Sequence, residues 1–280
     1  MGAKSYIKRG FKYVLSESKQ PIVKVEAVQK SSNDILKDKV FVVTGGGSGI
    51  GFEISKRLIE ENATVIITGR NEDKLKKAQS DLNNNSKLVY RVLDIKNVNE
   101  FDEFFKSLFE EYGHIDGIVN NAGISLHEWD FLKVTPEGFD DQFLTNLKGG
   151  YFFTQSYIKH YLATEQNEGK ILFVSSERGT YCDDLPYGLT KASMNSLVEA
   201  LSYTYYKSGL NVNAISPGVT ATNMTNINKE ADLYSNQNSG RFFIPEEVAE
   251  VALFLLSDYS KCISGEIVHV NAGNHIRRGY

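Results

Sequence analysis

The stretch Val40-Phe41-Val42-Val43-Thr44-Gly45-Gly46-Gly47-Ser48-Gly49-Ile50-Gly51 carries the decision about fold class. Its first five residues are β-branched or aromatic without interruption, as in a strand covered on both faces. The glycines that follow let the chain bend sharply, and Phe52–Glu61 has apolar residues at helical spacing. Strand, tight glycine turn and helix start together form a cradle for a pyrophosphate. No Cβ holds the backbone away from it, and the first N–H groups of the helix are free to bind the anion. A glycine string alone would serve any tight turn; the flanking strand and helix, and a second strand ending near Gly69, make it a dinucleotide site. Thr44, Gly45, Gly47, Ser48, Gly49, Ile50 and Gly51 are the residues placed against the cofactor by this reading.

Outward from this turn, strand and helix alternate. Further strand candidates are Thr64–Thr68, Leu88–Leu93, Ile115–Val119, Ile171–Ser175, Asn211–Ile215 and Ile267–Val270, and helical spacing recurs in Asp73–Leu82, Val98–Tyr112 and Glu246–Leu256. Alternation of this kind predicts an α/β fold with a parallel sheet, as one domain over residues 38–280. Residues 1–37 form a basic arm (Lys4, Lys8, Arg9, Lys12, Lys19, Lys24, Lys30, Lys37), in which Tyr6, Ile7, Phe11, Val14 and Leu15 could share one helix face. Such an arm could touch a membrane surface or a partner, or pack on its own domain or a neighbouring subunit.

Composition narrows the function. A net charge of -4 argues against general binding to nucleic acid or anionic membrane, and no apolar run reaches bilayer-spanning length. The two cysteines, Cys182 and Cys262, form no CxxC, which suits a reducing, cytoplasmic setting and gives no thiolate zinc site. The five histidines have no ligand spacing, so no metal is expected.

The spacing of Gly45, Gly49 and Gly51 resembles the short-chain dehydrogenase/reductase family, and separated motifs over about residues 39–273 extend the resemblance. Asn120-Asn121-Ala122-Gly123 follows the fourth strand as that family's NNAG segment does. The resemblance implies a Rossmann-type, doubly wound parallel sheet of seven strands, order 3-2-1-4-5-6-7, with helices on both faces. It also implies a nicotinamide cofactor and a homo-oligomer, tetramer or dimer. Asp94, with Ile95 after it, looks like the adenine contact; Asn121, Ala122 and Gly123 line the cofactor site; Pro217, Gly218, Thr220 and Thr222 look like the segment that holds the carboxamide. By the family pattern Gly69 replaces the acid that would bind both ribose hydroxyls, and Arg70 follows it. A cation without that acid favours a 2′-phosphate, so NADP is preferred over NAD, unless Arg70 is a solvated loop residue stacking on adenine.

Reduction of a ketone leaves charge on oxygen and needs an acid and hydrogen-bond donors there. Tyr187 and Lys191 lie at i and i+4 of a predicted helix, where an ammonium can ease phenol ionisation. Tyr203 and Lys207 repeat the spacing, but the family pattern puts a serine shortly before the active tyrosine. That serine is Ser176, at the end of Val174-Ser175-Ser176, with Ser175 structural, although the gap to Tyr187 is a residue or two shorter than usual. Asn146 matches the asparagine that bends a long helix and holds a relay water. Asn146, Ser176, Tyr187 and Lys191 are the catalytic set, with Tyr187 and Lys191 also touching the cofactor.

The walls expected to choose the substrate are His127–Phe131, Arg178–Leu185 and the Asn-rich stretch from Val219 to Phe243, which reads as a lid. Arg178, Tyr181, Asp183, Asp184 and Arg241 make them polar, which favours a sugar, polyol or oxo-acid carbonyl or alcohol. The rival from another class is a catalytically silent NAD(P)-binding regulatory protein. A sugar-nucleotide epimerase is disfavoured by the glycine spacing and the short C-terminal part.

Overall fold

The computed structural model describes residues 34–230 and 233–276. Seven parallel strands form one sheet in the order β3-β2-β1-β4-β5-β6-β7. They are β1 (Val40–Thr44), β2 (Thr64–Gly69), β3 (Leu88–Val92), β4 (Gly117–Asn120), β5 (Gly169–Val174), β6 (Leu210–Pro217) and β7 (Ile267–Val270). Every residue of β1, β4, β5 and β6, the strands that matter to the site, is buried. This is why they read as near-continuous apolar runs. The chain builds outward from β1 to β3, then crosses back to place β4 on the other side of β1. Loops leave the carboxyl ends of β1 and β4 in opposite directions, and the crevice between them is where such sheets bind ligands.

The helices are α1 (Gly49–Glu60), α2 (Glu72–Asp81), α3 (Phe101–Tyr112), α4 (Pro136–Gln142), α5 (Gly150–Leu162), α6 (Pro186–Tyr205) and α7 (Pro245–Leu256). On one face of the sheet Ile54 and Leu58 of α1, Leu75 of α2 and Val248 of α7 pack into one core. On the other face Phe105 of α3, Phe153 and Tyr157 of α5 and Val198 of α6 form a second. The Phe105 and Phe153 rings lie 4.7 Å apart between centroids. This two-sided burial is the doubly wound architecture that the resemblance implied.

Element ends differ by a few residues from the sequence reading. β4 begins at Gly117 rather than Ile115, and the Asp116 carboxylate just before it accepts from the Val40 N–H at 2.8 Å. β6 runs on to Pro217, which pairs with Val270. Leu36 is buried among the residues of the first core, so the packed chain reaches back beyond β1. The proposed basic helix face from Tyr6 to Leu15 lies outside the described residues.

Candidate functional site

A groove of about 350 Å³ opens at the carboxyl ends of β1, β2 and β4. Its walls include Thr44, Gly45, Gly47, Ser48, Gly49, Ile50, Arg70, Asp94, Ile95, Asn121, Ala122, Gly123 and Thr222 from the sequence-predicted set. Gly51, Tyr187, Lys191, Pro217, Gly218 and Thr220 stand off its walls. Gly51 sits behind the turn, where a Cβ would lie 2.4 Å from Asn121 Nδ2 and 2.6 Å from the Gly45 carbonyl. Its missing side chain lets α1 close on Asn121, whose amide donates to the Thr44 and Gly45 carbonyls at 2.9 and 3.2 Å. Gly45 itself has φ of 67°, which an L side chain rarely adopts.

The Thr44 side chain does a different job from the one the motif suggests. Its hydroxyl donates to the Val119 carbonyl at 3.1 Å and accepts from the Asn121 and Ala122 N–H groups at 3.0 and 3.1 Å. It therefore staples β1 to the segment after β4, and the groove is left to backbone. α1 starts without a side-chain cap at Ser48 and without an acid in its first turn. Its leading N–H groups are the unsatisfied donors of a helix start, turned toward the groove. A dinucleotide pyrophosphate fits this cradle. Thr145, whose buried hydroxyl has no partner among the described residues, lies on the same walls.

At the β2 end stand Arg70 and a second cation that the sequence reading passed over, Lys74. Both are exposed, and neither forms an ion pair among the described residues. Lys74 follows Arg70 by four positions, and its N–H is capped by the Asn71 side chain at 3.0 Å, which brings it round to the groove. That spacing was the available signal. On the far side, His127 Nε2 donates to the Met224 carbonyl at 2.7 Å and ties the loop after β4 to the segment after β6.

The catalytic candidates come together beside this groove. Ser176 lies two residues past the end of β5, at the start of a short turn, and its hydroxyl acts on the phenol of Tyr187, at the second position of α6. Burial pushes the phenol above its ordinary range, while the Ser176 bond and the Arg178 charge pull it down. Lys191, one turn along α6, is 4% exposed and places Nζ 5.6 Å from the centre of the Tyr187 ring. Its ammonium donates to the Val174 carbonyl at 2.8 Å, and burial lowers its pKa to about 8. Ser175 points elsewhere, donating to Asn195 Oδ1 at 2.6 Å. Tyr203, of the second Tyr–Lys pair, is 92% exposed.

Asn146 sits at the centre of a π-helical segment, Phe143–Gly149, inserted between α4 and α5. A wider turn of this kind displaces the helix axis and is found at functional sites. The Asn146 amide accepts from the Ile124 N–H at 2.7 Å and donates to the Ile124 carbonyl at 2.9 Å and Thr190 Oγ1 at 3.2 Å. Thr190 in turn donates to the Tyr187 carbonyl at 2.7 Å. The groove wall at Ile124 is thereby braced against the helix that carries Tyr187. A phenol, a hydroxyl and an ammonium grouped in this way can exchange a proton with a substrate oxygen and steady the charge left on it.

The family model described as enoyl-(acyl carrier protein) reductase matches residues 45–275. The chain is 34% identical over 247 residues to 3-oxoacyl-(acyl-carrier-protein) reductase FabG of Aquifex aeolicus, covering 85% of this chain and 98% of that protein. It is 32% identical over 245 residues to 3alpha-hydroxysteroid dehydrogenase of Mediterraneibacter gnavus, covering 85% and 97%. Its fold matches 3-ketoacyl-(acyl-carrier-protein) reductase from Brucella melitensis complexed with NADH at a TM-score of 0.77 and 27% identity, over 86% of this chain and 100% of that one.

Proposed function

The chain belongs to the short-chain dehydrogenase/reductase family, and on that premise we propose that it interconverts a carbonyl and a secondary alcohol with NADP(H), Tyr187 moving the proton. The observation that carries this reading is the grouping of Ser176, Tyr187 and Lys191 beside a groove whose cradle fits a dinucleotide. When bound, NADP(H) would supply the hydride in reduction and accept it in oxidation. Tyr187 protonates the substrate oxygen in reduction and accepts its proton in oxidation. The Ser176 hydroxyl bonds the same oxygen, and Lys191 lowers the cost of the phenolate. Asn146 keeps Ile124 and α6 in register. Arg70 and Lys74 receive the 2′-phosphate that distinguishes NADP.

Arg178 beside Tyr187, with Asp183 and Tyr181 on the same loop, favours a small polar substrate, a sugar, polyol or oxo-acid. A second reading, a bulky apolar carbonyl, is favoured by Leu126, Trp129 and Met224, exposed by 48%, 77% and 39% on loops beside the groove. It is also the direction in which the named relatives point, through a carrier-bound 3-oxoacyl chain and a steroid. The partner in assembly is a second copy of the chain, docking on Leu144, Leu147, Tyr151 and Leu197 of α4–α6 and the π segment. The exposed free thiols of Cys182 and Cys262 suit the cytoplasm.

The test is nicotinamide absorbance turnover over a panel of polar and apolar carbonyls, wild type against Tyr187→Phe. The expected loss on substitution is about 100- to 10,000-fold with the fold intact. Wild-type rates in the variant would remove Tyr187 from the chemistry, and no turnover of any carbonyl would favour the silent cofactor-binding protein.

A further inference from the structure

The turn after β5 carries a second cation beside Tyr187. Arg178 stands two residues beyond Ser176, and its guanidinium carbon lies 5.9 Å from the centre of the Tyr187 ring. Lys191 Nζ is at a comparable 5.6 Å. The two cations differ in kind: an ammonium in a buried site can give up its proton, whereas a guanidinium keeps its charge at any pH the protein meets.

Arg178 is aimed by a fixed partner. Its Nε donates to Asp183 Oδ2 at 2.6 Å and its Nη2 donates to Oδ1 at 2.8 Å, a two-pronged pairing that sets the plane of the guanidinium. The Asp183 side chain is 8% exposed and also accepts from the Leu185 N–H at 3.0 Å. It occupies the space above Gly188, where a Cβ would stand 2.0 Å from Oδ2. The glycine beside the tyrosine thus makes room for the carboxylate that holds the arginine. Of the other acids on this stretch, Glu177 is turned away to Asn271 and Asn274 at 3.1 and 3.0 Å, and Asp184 is exposed.

We propose that Arg178 is a second electrostatic support of the Tyr187 phenolate, and that Asp183 sets its strength by neutralising part of its charge. This rests on Tyr187 being the proton-moving group. Arg178 touches neither substrate nor cofactor in this role; it acts through the ring. A unit charge about 6 Å from the centre of a partly buried phenolate ring moves its titration by about one to two pH units. The paired carboxylate takes back part of that, leaving about half to one.

Tyrosinate absorbance of the full-length protein is titrated in wild type, Arg178→Gln, Arg178→Lys and Asp183→Asn, each read against the same chain carrying Tyr187→Phe. The difference isolates Tyr187 without requiring turnover, and the pH limb of kcat/KM is measured alongside. Arg178→Gln is expected to move the Tyr187 titration up by about half to one pH unit, and Asp183→Asn to move it down by a similar amount. Arg178→Lys, which keeps a charge, stays nearer wild type than glutamine does. Shifts in the same direction from Arg178→Gln and Asp183→Asn, no shift in either, or a lysine variant displaced as far as the glutamine one would each overturn the proposal. If Tyr187→Phe retains turnover, the reading of the active centre fails instead, a result the titration does not mimic.

Discussion

The two ends of the groove hold cations in opposite surroundings. At the β2 end Arg70 and Lys74 stand in solvent without ion pairs among the described residues. At the β5–α6 end Lys191 is buried, bonded to the Val174 carbonyl and pushed down to about 8. An exposed cation costs the fold almost nothing, but salt screens it and it contributes modestly. A buried ammonium costs stability and acts at nearly full strength on its neighbours. The first kind suits a choice between two cofactors, the second a change of charge on the reacting oxygen.

Lys191→Met breaks this comparison at its most sensitive point. Turnover should fall by about 100-fold or more, while the protein becomes more stable near neutrality. The folded pKa of about 8 lies below the ordinary 10.5, so between those values the unfolded chain binds the extra proton. Wild-type stability therefore rises with pH through that window, and the full cost of the buried charge is present below about pH 8. That cost is about 3 kcal/mol, less about 1 kcal/mol for the Val174 carbonyl left without its donor. Denaturant titrations should show the variant ahead at pH 7 and its lead shrinking as pH approaches 10.5. A wild type that is the more stable at pH 7 would mean that Lys191 is a structural asset.

Gly51→Ala sharpens the other end. The new Cβ meets Asn121 Nδ2 at 2.4 Å and the Gly45 carbonyl at 2.6 Å, and the second of these is backbone that cannot swing aside. Overpacking of this kind costs about 1–3 kcal/mol, roughly 3–10 °C in melting temperature for a domain of this size. Nicotinamide cofactor affinity should drop about tenfold or more, because the turn that Asn121 staples is the cradle itself. Isothermal titration with NADPH and a thermal melt check both; unchanged affinity would detach the glycine turn from cofactor binding.

The legible and illegible parts of the molecule divide along a physical line. The β1 strand and its glycine turn were readable because both faces of the strand are buried and only glycine fits the turn. Tyr187 and Lys191 were readable from their i, i+4 spacing and Ser176 from its place after β5 in the family pattern, and the structure groups them. A bend at Asn146 came from the resemblance alone, since one extra residue in a turn leaves the apolar pattern of α4 and α5 nearly unchanged. The Arg178–Asp183 pair was seen only as polarity in a wall: a five-residue loop contact has no period, and its geometry depends on the space above Gly188. Lys74 was missed because an exposed lysine on a helix is ordinary.

That last residue makes the smallest test the most discriminating one for cofactor choice. Arg70→Ala alone should raise the KM for NADPH by about threefold, and Arg70→Ala with Lys74→Ala by about tenfold, with the KM for NADH nearly unchanged. Because both side chains lie in solvent, the NADPH effect should weaken as ionic strength rises from about 0.05 to 0.5 M, over which the Debye length shortens several-fold. The Gly51→Ala defect is steric and should not respond to salt in this way. Equal losses for NADPH and NADH would make the two cations general adenosine contacts and leave NAD as the cofactor. Preference for NADPH surviving the double substitution would move the 2′-phosphate site away from the β2 end, and with it the contrast between a cheap cation that selects and a costly one that reacts.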